Sequence, residues 1–197
     1  MIRYSSKNKF YLFTNFIDDY VKKNLLKFTG ISIICKDLNN NFDLKNLLEI
    51  KKFCKENKIR FYIADNYKLA IKLKSDGLFI SSWNKKNYIK YKPEFKFIGS
   101  AHNQLDIYYK KKQKCDFLTI SPLFYNSKYS NNNILKPIKF NLLSNFCGIK
   151  IIALGGINKK TFKKVLLTKS EGVGFFSWIL DAKIKKPVHF FNVRALN

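Results

Sequence analysis

Histidine is nearly missing from this chain of 197 residues, which has two, and no CxxC pair joins its four cysteines, Cys35, Cys54, Cys115 and Cys147. That excludes the usual zinc patterns, which need thiolates or imidazoles at ligand spacing. The cysteines fall beside strand-like runs or in an apolar helical pattern, so they read as small reduced hydrophobes without chemistry of their own. No stretch approaches the roughly 18 uncharged apolar residues of a membrane span. Residues 1–10 carry charges and lack an apolar block, unlike a secretory leader. The expectation is a cytoplasmic protein with no membrane partner. Arginine is scarce too, limited to Arg3, Arg60 and Arg194. Arginine is the preferred fork for phosphates and base edges, so its scarcity argues against nucleic acid as the main partner.

What the chain has in excess is lysine. The formal net charge is +25, and the lysines are strewn over every predicted helix among abundant asparagine, isoleucine, phenylalanine and tyrosine. A polyanion partner is one reading, since neutralised phosphates release counterions. The other is a composition set by AT-rich codons. Under either reading the field draws small anionic substrates toward the protein. A hydrophobic content of 46% and an aromatic content of 16% are those of a packed interior, not of a disordered chain. The length fits one domain spanning 1–197.

Short apolar runs of strand character recur at 11–15, 31–36, 60–65, 77–82, 96–101, 117–122, 150–155 and 173–178. Helical patterns separate them at 16–28, 44–57, 67–74, 104–114, 139–146 and 159–168, while 83–92 is short and weak. In 44–57 the apolar residues Leu44, Leu47, Leu48 and Cys54 keep helical spacing. Eight strands alternating with crossovers in so short a chain predict a closed α/β structure, a single (β/α)8 TIM barrel. The Asn-, Ser- and Tyr-rich run 125–133 follows the sixth strand and would overhang the active face, either as a lid or as a plain surface loop.

The sharpest local signal is Ile151-Ile152-Ala153-Leu154-Gly155-Gly156-Ile157-Asn158, an apolar strand running through two glycines into a helix. Glycines there let main-chain N–H groups approach an anion. The run Gly172-Val173-Gly174-Phe175-Phe176-Ser177-Trp178 offers a second such loop with a hydroxyl. In barrels the loops after strands seven and eight frequently form a phosphate cradle. Glycines that merely permit a tight turn are the plainer alternative. Trp178 reads equally as pocket wall or packing, and His189 as a surface or packing residue.

These residues carry a family resemblance. Residues 153–158 resemble the AIGGI-N motif of thiamine phosphate synthases, and 171–179 resemble their ADGVAVVSAI segment. IADNYKLA at 63–70 is similar to INDRVDLA, and SDGLFISS at 75–82 to ADGVHLGQ. IGSAHN at 98–103 is similar to the GxSxH stretch, and DFLTISPLF at 116–124 to DYVGVGPVF. The chain is thus identified as resembling the thiamine phosphate synthase and thiazole tautomerase superfamily over nearly its whole length. The resemblance implies a transferase of thiamine biosynthesis that condenses a hydroxymethylpyrimidine diphosphate with a thiazole phosphate and releases pyrophosphate with Mg²⁺.

Carried over by position, the resemblance gives Gly155, Gly156 and Ser177 to the thiazole phosphate. Lys36 goes to the pyrophosphate and Asp65 to Mg²⁺, with Lys128 standing for the lysine of the loop after strand six. Ser100 and His102 would line the pocket after strand five. In ISIICK, Ser32, taken by position as substrate-binding, and Ile34 stand where the family has glutamine and arginine, and an apolar side chain cannot replace a guanidinium fork on a diphosphate. Ala64 replaces an asparagine before Asp65. Asn84 replaces the second metal-binding aspartate, and a neutral oxygen weakens a site for hard Mg²⁺. Three readings follow: the synthase; a metal-independent tautomerase using His102 for proton transfer; and a non-catalytic binder of phosphorylated ligands or nucleic acid on the same scaffold.

Overall fold

The computed structural model describes residues 10–36, 42–93, 95–125 and 133–176. Eight parallel strands close into a barrel in sequence order. They are β1 (Phe10–Phe13), β2 (Ile31–Cys35), β3 (Arg60–Ala64), β4 (Gly77–Ile80), β5 (Lys96–Ala101), β6 (Phe117–Ile120), β7 (Lys150–Ala153) and β8 (Gly172–Phe175). β1 pairs with both β2 and β8, so no strand edge is left open among them. The helices are α1 (Asp19–Leu25), α2 (Leu44–Glu56), α3 (Tyr67–Lys72), α4 (Gln104–Lys112), α5 (Lys136–Asn145) and α6 (Phe162–Val165). Between β4 and β5 there is only a 3-10 turn, Ile89–Tyr91, where the sequence pattern was weak. The architecture is the expected (β/α)8 barrel.

Each strand buries both faces, which is why the strands read as apolar runs without alternation. The inward residues, among them Tyr11, Tyr62, Phe79, Ile98 and Ile152 with Phe117 against them, form one cluster inside the barrel. The outward ones, such as Ile33, Ile63, Phe97 and Leu118, join Leu47, Ile50 and Phe140 of the helices in a larger shell. Membership of the two clusters alternates along β2, β3 and β5, the period of a pleated strand.

Caps explain where the helices begin. Asp18, Asp43, Asn66 and Asn103 each accept a main-chain N–H from the first turn of α1, α2, α3 and α4. Helix α5 starts earlier than its apolar pattern does, because Pro137 sits in the first turn, where its missing N–H costs nothing. Helix α6 is shorter than 159–168 because Asn158 and Thr161 bond each other's main chain instead: Asn158 N–H donates to Thr161 Oγ1 at 2.9 Å and Thr161 N–H to Asn158 Oδ1 at 3.2 Å.

Two aspartates inside the recognised motifs do structural work at the N-terminal end of the barrel. Asp76, just before β4, donates its N–H to Phe61 O at 2.8 Å and accepts Phe61 N–H at 2.8 Å. Asp116, just before β6, repeats both bonds with Phe97, each at 2.8 Å. Lys92 and Lys96 also pair with Asp116. These contacts tie odd strands to even ones, away from the chemistry.

All four cysteines are free and buried. Burial pushes the thiols of Cys54 and Cys115 up to about 12 and that of Cys147 to about 11, with Cys35 raised as well. They are core residues, as the sequence suggested.

Candidate functional site

The C-terminal ends of the strands gather most of the predicted residues on one rim. Lys36 follows β2 directly and continues the inward series of Ser32 and Ile34; its ammonium stands 5.3 Å from the ring centroid of Phe79, an inward residue of β4. Phe79 meets Phe13 edge to face at 5.1 Å, and Phe13 stacks on Phe176 at 4.9 Å. The rim therefore has an aromatic floor reaching from β4 across β1 to the end of β8. Phe176 is 48% exposed on it.

Asp65 ends β3 with φ +57, a left-handed conformation that Asp tolerates better than most residues. Its N–H donates to Phe79 O at 2.8 Å. The carboxylate is held by the segment after β4: Ser81 N–H and Asn84 Nδ2 donate to Oδ1 at 2.9 and 2.8 Å, and Ser81 Oγ donates to Oδ2. Asn84 is 4% exposed, and its Oδ1 accepts Lys86 N–H at 3.1 Å. That bond fixes the amide orientation, because Lys86 N–H needs an oxygen. Asn84 thus presents its NH₂ group to Asp65 and turns its oxygen away. Ser81 is not singled out by the sequence, because its role depends on its lying two residues beyond Phe79.

Ser100 and His102 extend the inward column of β5. Ser100 is buried beside Thr119 of β6. His102 Nδ1 lies 2.7 Å from Ser121 O; a carbonyl only accepts, so the neutral ring carries its hydrogen on Nδ1 and keeps Nε2 as the acceptor. Its main-chain N–H donates to Asp106 Oδ2 at 3.0 Å.

Gly155 and Gly156 follow β7 with φ +93 and +66. A Cβ on Gly156 would lie 2.4 Å from both Phe124 O and Tyr125 O, so the turn is pressed against the loop after β6. Leu123 N–H to Leu154 O at 2.9 Å and Phe124 N–H to Gly155 O at 3.0 Å lock the two loops together. The N–H groups of Gly155, Gly156 and Ile157 have no partner among the described residues. Where successive amides of this kind converge they can bind an anion. β7 and β8 are hydrogen-bonded neighbours, with Ile152 opposite Gly172, so the loops that follow them start side by side.

Ser32 stands apart from the rim. It is fully buried in register with Tyr11 and Arg60, near the N-terminal end of β3. Lys128, Ser177, Trp178 and His189, with most of the 125–133 run, lie outside the described residues. Among the described residues no group of three or more His, Cys, Asp or Glu side chains could hold a metal ion.

The family model described as thiamine monophosphate synthase matches residues 22–179. The chain belongs to that family. A thiamine-phosphate synthase from Prochlorococcus marinus is 28% identical over 98% of this chain, which spans only 57% of that relative's length. Another from Pelagibacter ubique is 29% identical, covering 88% of this chain and 86% of its own. Among solved structures, thiamine phosphate pyrophosphorylase from Pyrococcus furiosus superposes with a TM-score of 0.73 over 90% of each chain, at 18% identity. An aldolase for 2-keto-3-deoxy-6-phosphogluconate from Zymomonas mobilis superposes at 0.64 with 15% identity. Such distant structural matches speak for the barrel alone. The synthase family relation comes from sequence, and it does not favour the tautomerase or binder readings.

Proposed function

We propose that this member of the thiamine monophosphate synthase family condenses a hydroxymethylpyrimidine diphosphate with a thiazole phosphate in thiamine biosynthesis. What supports this reading is that two groups able to receive an anion, the unpaired amides after β7 and the Lys36 ammonium after β2, follow strand ends at the same end of the barrel. One site suits the phosphate of the acceptor and the other the diphosphate of the donor. The aromatic floor of Phe13, Phe79 and Phe176 between them suits flat heteroaromatic rings.

In the reaction the thiazole nitrogen forms a bond to the pyrimidine's methylene carbon. The bond from that carbon to the diphosphate oxygen breaks, and pyrophosphate leaves with the electron pair. Lys36 would neutralise the leaving group as its charge grows, which stabilises the transition state more than the ground state. Gly155, Gly156 and, on sequence position alone, Ser177 would fix the acceptor so that its nitrogen faces the carbon. Ser100 and His102 would line the pocket, with Nδ1 of His102 engaged on Ser121 and its ring orientation thereby set. Lys128 is proposed for the leaving group on sequence position alone. Ser32, four residues below Lys36 in the barrel interior, would support the rim from beneath.

The two-ligand Mg²⁺ site that the resemblance implies does not fit Asp65 and Asn84 in this arrangement. Asn84 directs a hydrogen-bond donor, not an oxygen, at the carboxylate. No step is therefore assigned to a metal. The test is product formation from the two purified substrates, with and without Mg²⁺. Condensation above background supports the reading, and folded protein with no turnover under either condition refutes it.

A further inference from the structure

The side chain of Lys110 is fully buried, an expensive place for an ammonium unless every donor is used. Here all three are. Nζ donates to Ser81 O at 2.7 Å, to Asn84 O at 2.8 Å and to Gln113 Oε1 at 2.9 Å. Gln113 completes the arrangement, its Nε2 donating to Asn84 O at 3.0 Å and to Lys86 O at 2.7 Å. The two carbonyls that hold the ammonium belong to the two residues whose side chains hold Asp65. Space for the lysine stem comes from β5: a Cβ on Gly99 would lie 2.9 Å from Lys110 Cγ and 3.0 Å from Cδ. A strand glycine, a helix lysine and the glutamine that caps the end of α4 thus act on one short loop that lacks regular structure of its own.

We infer that Lys110, seconded by Gln113, is a positioning residue for the diphosphate half of the site: it fixes loop 81–86 so that Ser81 and Asn84 hold the Asp65 carboxylate at the rim. The loop between β4 and β5 has no regular structure beyond a 3-10 turn. Apart from its bonds to Asp65 it is tied down by the partly exposed Lys85–Asp106 pair, the Asn84–Tyr88 bond, and Lys110 with Gln113. The buried ammonium supplies charge-assisted bonds to its carbonyls, and these are stronger than neutral ones. Lys110 touches no predicted substrate-binding residue on the β7 side, so its effect is confined to one half of the rim. The catalytic consequence rests on the synthase reading; the ordering of the loop does not.

The experiment compares the full chain with Lys110→Met, which keeps the stem and removes the donors. Amide hydrogen exchange reads the loop and steady-state kinetics read the site. Exchange at Ser81 and Lys86 N–H should accelerate at least tenfold, while Ile152 and Ala153 in β7 exchange as before. KM for the diphosphate substrate should rise or kcat fall at least tenfold, with KM for the thiazole phosphate changed less than twofold. Unchanged exchange at Ser81 and Lys86 in folded Lys110→Met overturns the proposal whatever the kinetics show. Equal loss toward both substrates also overturns it. A wild-type chain without turnover sinks the synthase reading, yet leaves the exchange comparison decisive for Lys110. If Lys110→Met does not fold, Gln113→Met takes its place, and wild-type exchange in the loop of that variant would end the idea.

Discussion

Replacing Gly156 by alanine separates two costs that the structure assigns to different glycines. Gly156 and Gly148 share a left-handed backbone, with φ +66 and +59. For an alanine that conformation costs about 1–2 kcal/mol. Their surroundings differ. A Cβ on Gly148 would meet nothing nearer than Lys111 Nζ at 3.9 Å, whereas on Gly156 it would lie 2.4 Å from two carbonyl oxygens. Relief requires the loops after β6 and β7 to part by more than half an ångström, stretching the bonds from Leu123 and Phe124. Each such bond contributes about 0.5–1.5 kcal/mol. Gly156→Ala should therefore lose about 2–5 kcal/mol and Gly148→Ala about 1–2 kcal/mol. At about 2–4 °C per kcal/mol for a domain of this size, calorimetry resolves the two. The same parting displaces the amides proposed for the acceptor phosphate, so KM for the thiazole phosphate should rise about tenfold or more in Gly156→Ala and stay level in Gly148→Ala. Equal melting shifts in the two variants, or an unmoved KM in Gly156→Ala, would refute both the packing argument and the cradle.

Lys36→Met should lower kcat/KM by about 100-fold or more, as losing one charged stabiliser of a leaving group does, with an unaltered melting temperature; a value within threefold of wild type would remove Lys36 from the mechanism. Burial alone would raise the Asp116 carboxyl, but bonds from Lys92 and Phe97 N–H, with the charges of Lys92 and Lys96, hold it below its ordinary value of 3.8. A depressed folded value means its stabilisation is complete above that ordinary value and lost as the pH falls through the folded one; Asp116→Asn should cost about 1–2 kcal/mol near neutrality, and its melting curve should converge on that of wild type in acid. The four thiols, buried and raised, should resist alkylation at neutral pH until the chain unfolds, so rapid labelling of the native protein would contradict the packing of Cys35, Cys54, Cys115 and Cys147.

The barrel was legible because burial on both faces turns each strand into an apolar run, and eight such runs are hard to mistake. Boundaries were less so. Each predicted strand except 96–101 runs past its observed C-terminal end, because inward residues such as Lys36, Ser81 and Leu154 keep the alternating pattern after strand pairing ends. The glycine pair after β7 could be read directly, since positive φ and close backbone approach demand glycine. Ser81 and Lys110 could not. Serine is common in turns, and a lysine in a chain with 38 Lys and Arg residues gives no hint that it is the one buried among the described residues. Only a neighbouring glycine, Gly99, marks the space it needs, and that mark becomes readable once register is known.

Apart from Ser32, which lies deeper in the barrel, the departures from the family pattern fall on one arc of the rim. Ile34, Ala64 and Asn84 lie on or just after β2, β3 and β4, while the matching glycines lie after β7. On the altered arc Asp65 has neutral donors where the family pattern has a second carboxylate, and a buried cation stands behind those donors. Exchanging an aspartate for Asn84 removes a negative charge, so the carboxylate left behind has no like-charged neighbour calling for a divalent ion. Reversing the change by Asn84→Asp would set two carboxylates at hydrogen-bonding distance. That pair would destabilise the folded chain without Mg²⁺ and regain stability when the ion is added, whereas wild type should show little Mg²⁺ effect on melting. If wild type is stabilised by Mg²⁺ as strongly as Asn84→Asp, Asn84 is serving as a ligand and the donor geometry described for it is wrong.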